Sequence, residues 1–393
     1  MLLRILLPLL IFLSLPAWGI DRLWLRRRLK HWRRLAFYAP NLILGVLAVF
    51  TGLFETYTPG ADQWKGTLIS LIMLLAIPEI ILAVFLVVGK LIDYVHRVAG
   101  SVVKWIGLVA ALLAFAGILY GSTLGYRHVI VKHYTYTHRR LPAAFDGYRI
   151  AQISDLHLGT LHGRKQVLQH IVDSVNAYHP DLIVFTGDLV NYRASEADEF
   201  VGVLKRLKAK DGVISIMGNH DYAQYFRWAS PADSLADIHR LQQTQRSMGW
   251  RLLLNDNHIL RRSIAGNKAV DSLAIVGVEN DGRPPFPALA DLPKAQRGLS
   301  PACFKILLSH DPSHWRRSVL PDTDIPLMLA GHTHGMQFKI GNFSPAVWFY
   351  PEWGGEYVEG GDRTLYISLG TGEVLIPFRL GAWPEINLIT LKK

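Results

Sequence analysis

The chain has 393 residues, half of them hydrophobic, and its mean hydropathy is positive, which excludes an ordinary soluble domain and calls for a membrane portion. Its formal net charge of +11 would suit nucleic acid, but residues 1–126 carry 12 Lys and Arg against 5 Asp and Glu, leaving 30 against 26 beyond them. Most of the excess is therefore juxtamembrane, where it suits topology and anionic lipid, and a single cysteine, Cys303, excludes an intramolecular disulfide.

Apolar runs at Ile5–Ile20, Phe37–Phe54, Thr67–Gly89 and Trp105–Tyr126 approach or reach the roughly 17 to 25 residues that a bilayer-spanning helix needs. Residues 1–126 thus read as a membrane region of about four transmembrane helices. The first run carries Pro8 and Pro16 and ends in Ala17-Trp18-Gly19, a form that the apolar core of a signal peptide also takes. Arg22, Arg26, Arg27, Arg28, Lys30, Arg33 and Arg34 separate the first two runs, and Lys90, Arg97 and Lys104 separate the last two. The intervening loop has only Lys65 against Glu55 and Asp62. With the basic side cytoplasmic, the chain beyond Tyr126 is extracytoplasmic, the arrangement of a multi-pass protein of a bacterial inner membrane; a cleaved first segment would instead leave the Arg-rich stretch outside. Glu79, after Pro78 in the third run, is an intramembrane acid, functional by default but read here as paired with a polar neighbour or placed at a helix break. Trp18, Trp24, Trp64 and Trp105 near the span ends suit an interfacial belt.

Residues 127–145 read as a polar connector, and residues 146–393 are long enough to bury one core. Short β-branched runs at Arg149–Ile153, Leu182–Phe185, Val213–Met217, Leu273–Val278, Phe304–Leu308, Pro326–Leu329 and Leu365–Leu369 predict strands. Val167, Leu168, Ile171, Val172 and Val175 recur at helical spacing. Ser195 with Asp198 predicts a capping box ahead of an amphipathic helix, and Ser230-Pro231 predicts another helix running to Gly249. The pattern is that of a layered α/β domain.

Five of these strands end in side chains that bind metals: Asp155 and His157, Asp188, Asn219-His220-Asp221, His310, and His332 with His334. Carboxylate, imidazole and one amide without thiolate suit a pair of divalent ions such as Mn, Fe or Zn. In Asp155-x-His157 and His332-x-His334, extended chain would point alternate side chains the same way, and the neighbouring glycines admit close backbone approach. His162, His170, His179, His239, His258 and His314 lack such neighbours and read as ordinary surface or core residues.

The blocks D-x-H, G-D, G-N-H-D, a lone H and G-H-x-H, in that order over nearly the whole domain, resemble the signature of calcineurin-like metallophosphoesterases. The resemblance implies a β-sandwich flanked by helices (α/β/β/α). It also implies one metal on Asp155, His157, Asp188 and His334, a second on Asp188, Asn219, His310 and His332, and Asp188 as the bridge. His220 would contact phosphoryl oxygens and help protonate the leaving group, oriented by Asp221. Two cations about 3.5 to 4 Å apart neutralise an anionic ester and acidify a bridging water, so the expected reaction is attack of a metal-bridging hydroxide on a phosphomonoester or phosphodiester. The C-terminal Gly370, Gly372, Arg379, Pro384 and Glu385 are similar to the ending of membrane-associated members, whereas Met336 stands where relatives often carry a second glycine. The expected substrate is a lipid or cell-envelope phosphate, and the aromatic piece Phe343–Tyr357 is either a lipid-facing entrance or core. A nuclease of the same family is the alternative that the near-neutral domain disfavours; a noncatalytic membrane scaffold is the other, disfavoured by an intact His220 and full ligand set. The sequence names no protein partner.

Overall fold

The computed structural model describes residues 2–53, 59–263 and 270–393; Phe54 and Glu55, named above, lie outside them. The chain divides into two compact units, Met1–Gly125 with Leu375–Leu380, and Tyr126–Val374 with Gly381–Lys393.

The first unit contains helices α1 (Leu2–Ile20), α2 (His31–Leu53), α3 (Pro59–Asp93) and α4 (Arg97–Thr123), each long and apolar enough to cross a membrane. Small residues let them approach: a side chain on Gly107 would overlap Phe85, and one on Gly100 would overlap Asp93. The basic segments fall at one end of the bundle, where Trp24 meets Trp105 edge to face at 5.8 Å, Arg34 Nε lies 2.6 Å from Asp21 Oδ1, and Lys104 pairs with Asp93. Glu79 has the partner that a buried acid requires, because Asn41 Nδ2 donates to Glu79 Oε2 and to the Leu13 carbonyl, both at 2.8 Å. No helix break is involved, since α3 runs straight through Pro78.

The second unit is built on two six-stranded sheets. The first holds β1 (Ile130–Thr137), β2 (Arg149–Ile153), β3 (Leu182–Phe185), β4 (Val213–Ser215) and β5 (Arg251–Leu252). The second holds β6 (Asp256–Ser263), β7 (Val270–Gly277), β8 (Phe304–Leu308), β9 (Leu327–Ala330), β10 (Gly355–Glu359) and β11 (Arg363–Ile367). A last strand, β12 (Glu385–Lys392), completes the first sheet, giving orders β1-β12-β2-β3-β4-β5 and β10-β11-β9-β8-β7-β6.

Each central strand is apolar on both faces, the pattern of a sheet covered on both sides. Ile150, Leu182, Val184 and Ile214 face Ile275, Ile306, Leu308 and Leu329 between the sheets. Their alternates Ala151, Ile153, Ile183 and Phe185 pack outward on Leu168, Ile171 and Val175 of α5 (Lys165–Ala177) and Leu241 of α6 (Pro231–Ser247). On the far side Val276, Leu307 and Met328 cover Trp315 and Val319. The result is the expected layered α/β/β/α sandwich.

Two local expectations fail. Residues 127–145 are not only a connector: β1 pairs in parallel with β12 from Ile130↔Glu385 to Thr137↔Lys392. An edge strand keeps one side wet, so β1 reads as polar although Tyr136 is buried. Ser195 starts no regular helix, and Ala194–Phe200 is a 3₁₀ segment followed by the short turn Val201–Leu204. Glu196 instead accepts from the backbone N–H of Asn191 and Tyr192, and Asp198 pairs with Arg240. By contrast Ser230 does cap α6, accepting from the Asp233 N–H at 3.2 Å.

Ile306, buried between the sheets, offers a check on this core. Ile306→Ala should destabilise the second unit by about 2–5 kcal/mol, read as a lowered Tm in detergent; an unchanged transition would contradict its placement.

Candidate dimetal centre

The ligand-type residues leave the carboxyl ends of β2, β3, β4, β8 and β9, where open α/β sheets gather their sites. The extended-chain expectation is corrected here. Asp155, His157, Asp188, His332 and His334 have φ of 54°, 44°, 59°, 75° and 51°, all left-handed. Each such non-glycine residue costs on the order of 1–3 kcal/mol and persists only where its surroundings enforce it. Enforcement comes from backbone bonds, with Asp155 N–H donating to the Gly187 carbonyl at 2.9 Å and His157 N–H to the Asp188 carbonyl at 3.2 Å. It also comes from close approach: a Cβ on Gly218 would overlap Asp188, and one on Gly331 would overlap Ser154 and Asp155.

These turns gather three triads whose ligand atoms lie within 4.8 Å of one another: Asp155, His157 and His334; His157, Asp188 and His220; and Asp188, His310 and His332. His332 and His334 thus diverge into different triads. Asp188 stands between them, its Oδ2 lying 3.1 Å from His310 Nε2 and 3.6 Å from His157 Nε2. Asn219 Oδ1 lies 2.8 Å from His332 Nδ1, while His334 Nε2 lies 3.3 Å from Asp155 Oδ1. All are buried except His220 and His332, which are intermediate.

Electrostatics favour cations here. Burial, helped by His220, holds the His157 imidazole well below its usual pKa and so neutral. Burial opposes the charged form of His310 too, but the Asp188 carboxylate outweighs it and pushes that group up to about 10. Asp155, despite burial, is lowered chiefly by His334. Ring nitrogens converge at 3.1 Å between His157 and His334 and at 3.3 Å between His310 and His332. Imidazole nitrogens and carboxylates gathered in overlapping triads without thiolate form a donor set that fits divalent cations.

A second layer fixes the ligands, as metal sites require. His310 Nδ1 donates to the Thr186 carbonyl at 2.7 Å, and His332 Nε2 lies 2.6 Å from the Tyr350 hydroxyl. His220 Nδ1 lies 2.8 Å from the Asn191 carbonyl, which can only accept, and its ring stacks on Tyr225 at 4.3 Å. Asp221 therefore does not orient His220. Its carboxylate accepts from the backbone N–H of Asp188, Leu189, Val190 and Gly218 at 2.8–3.2 Å.

Residues 148–336 match a family profile described as calcineurin-like phosphoesterase. The chain is 30% identical over 302 residues to the uncharacterized metallophosphoesterase YkuE of Bacillus subtilis, covering 73% of this chain and 95% of that one. The chain belongs to the calcineurin-like metallophosphoesterase family. With that membership comes the enzyme class, metal-dependent hydrolysis of phosphoric esters. Residues 3–126 match a second profile, described as the transmembrane domain of a probable calcineurin-like phosphoesterase. Similarity extends to proteins described as transmembrane protein with metallophosphoesterase domain from Bos taurus, 30% identical over 256 residues, and Danio rerio, 31% identical over 258 residues. The matches cover 64% and 65% of this chain but only 55% of each vertebrate protein.

Of the metallophosphoesterase residues singled out from sequence, Asp155, His157, Asp188, Asn219, His220, His310, His332 and His334 converge, whereas Asp221 sits behind them. None of His162, His170, His179, His239, His258 and His314 joins a triad among the described residues. His314 is buried against Ser309 Oγ at 2.9 Å. Sequence reasoning missed Asn191, Tyr225 and the contact of Tyr350, because a carbonyl or phenol reached across loops leaves no spacing pattern. Asp221→Asn, which keeps shape but loses charge and an acceptor, should weaken metal affinity by roughly 10- to 100-fold. Metal content measured against free-metal concentration checks this; unaltered affinity would show that the backbone clasp does not hold the ligands.

Proposed function

We propose that this metallophosphoesterase hydrolyses a phosphomonoester or phosphodiester at a membrane, with a lipid or cell-envelope phosphate as substrate. The observation that carries the reading is Asp188, buried and within 3.6 Å of an imidazole from each flanking triad. Asp155, His157 and His334 would hold one divalent ion, Asn219, His310 and His332 the other, and Asp188 both. The nitrogen and oxygen donors suit Mn, Fe or Zn alike. When bound, such a pair supplies the charge that neutralises phosphoryl oxygens and lowers the pKa of water.

The chain's own groups do the rest. Asp188 sets the spacing of the two sites from one carboxylate. The Asn191 carbonyl keeps a proton on His220 Nδ1, which leaves Nε2 to contact a phosphoryl oxygen and, when protonated, to donate to the leaving group. Tyr225 stacks against that ring and restricts its rotation, while donating nothing to Asn219, whose Nδ2 donates to the Tyr225 oxygen at 2.8 Å.

With the basic end of the helical bundle cytoplasmic, the metallophosphoesterase domain faces the other side of a bacterial inner membrane. A cysteine at exposed Lys205, in a Cys303→Ser background, should react with a membrane-impermeant maleimide on intact spheroplasts; reaction only after lysis would reverse the topology.

Purified protein should hydrolyse bis(p-nitrophenyl) phosphate or p-nitrophenyl phosphate with added divalent ion, and chelation should abolish turnover. Asp188→Asn should abolish turnover and one equivalent of bound metal. His220→Gln should retain metal and lose about 10²- to 10⁴-fold in kcat. Metal binding without turnover of either ester in the native protein would sink the general reading and favour a scaffold.

A further inference from the structure

The piece between the last ligand block and β10 divides its apolar side chains. Ala346 and Trp353 turn inward with Leu369. Met336, Ile340, Phe343, Val347, Trp348 and Phe349 turn outward, Trp348 being 72% exposed, Ile340 66% and Phe349 64%. The backbone beneath them is fixed. Ser344 Oγ donates to the Gly335 carbonyl at 2.5 Å, Tyr350 N–H donates to the Ala346 carbonyl at 2.8 Å, and Ile340 and Phe343 exchange backbone bonds at 2.9 and 3.0 Å. These side chains are presented to solvent by a built loop, with Phe343 and Trp348 meeting edge to face at 5.9 Å, and exposed apolar side chains grouped on one loop mark an interaction surface.

Charge identifies the partner. From Met336 to Pro351 the chain has no Asp or Glu and one base, Lys339. Tryptophan and phenylalanine with lysine and no acid is the composition that settles at the interface of an anionic bilayer. The protein carries its own membrane helices, so such a surface is always at hand.

Position adds the consequence. Met336 lies two residues beyond His334, and Tyr350, next to Phe349, places its hydroxyl 2.6 Å from His332 Nε2. The apolar surface therefore adjoins a candidate ligand at each end. We propose that residues 336–349 form a bilayer-docking loop, seating their exposed apolar side chains in the interfacial layer so that the metal centre takes phosphate from a lipid headgroup. This rests on the phosphoesterase reading above and specifies its substrate class.

The test uses the full chain in phosphatidylglycerol-containing vesicles with brominated acyl chains. Trp348→Phe should remove a bromolipid-quenched component of the tryptophan emission that is shielded from aqueous iodide. Trp348→Ser/Phe349→Ser should lose roughly tenfold in turnover of membrane-embedded hexadecyl p-nitrophenyl phosphate, equivalent to about 1.4 kcal/mol, with turnover of soluble bis(p-nitrophenyl) phosphate unchanged. Emission from Trp348 quenched by iodide and not by bromolipid overturns the docking, as does an equal fall, or no fall, with the two substrates. Absence of metal-dependent turnover of the soluble ester by the native protein would defeat the phosphoesterase reading instead, and the quenching result would still decide whether the loop enters lipid.

Discussion

One buried carboxylate, Asp221, accepts four backbone N–H groups and so clasps the turn after β3 to the turn after β4. The ligand geometry hangs on that clasp. Asp188 lies inside it, held in a left-handed conformation that its side chain alone would not favour. The His220 N–H reaches back to Asp188 Oδ1 at 2.8 Å, closing the loop in the opposite direction. Two short turns thereby behave as one rigid piece, and rigidity is what separates a preorganised ligand set from a cluster of acids and imidazoles that happen to be near each other.

The sandwich serves the same end. Its strands are apolar on both faces and carry few polar groups until their carboxyl ends, where Asp155, Asp188, Asn219, His310 and His332 appear together. Burying so many ionisable groups is expensive unless each meets an opposite charge or a donor. The membrane unit meets the same requirement on a smaller scale with Asn41 and Glu79.

Much of this was legible in the sequence because the relevant signals are local. Strands at Arg149–Ile153, Leu182–Phe185 and Phe304–Leu308 are bounded as their composition predicts, and the ligand blocks announce themselves by residue type at strand ends. What escaped prediction depends on partners distant in the chain. β1 looked like a connector because its partner β12 lies about 250 residues on and one of its sides is wet. The role of Asp221 was misassigned because adjacency in sequence suggested His220, while three of its four hydrogen bonds come from residues 31 to 33 positions earlier. Ligand spacing was read as extended chain, although positive φ at each of those residues is set by tertiary contacts that no alternation reveals.

The placement of β12 bears on how the molecule comes into being. It lies between β1 and β2, antiparallel to the latter, so two strands made early have no bond to each other and await one made long after both. During ribosomal synthesis the first sheet stays split until residues 385–392 arrive, while the second can already pair β6 through β11. Such sequence-distant closure is slow and leaves strand edges open. Completion of the first sheet, which carries Asp155, Asp188 and Asn219, thus comes late, and a chain interrupted before β12 would present an unsealed edge to chaperones and proteases.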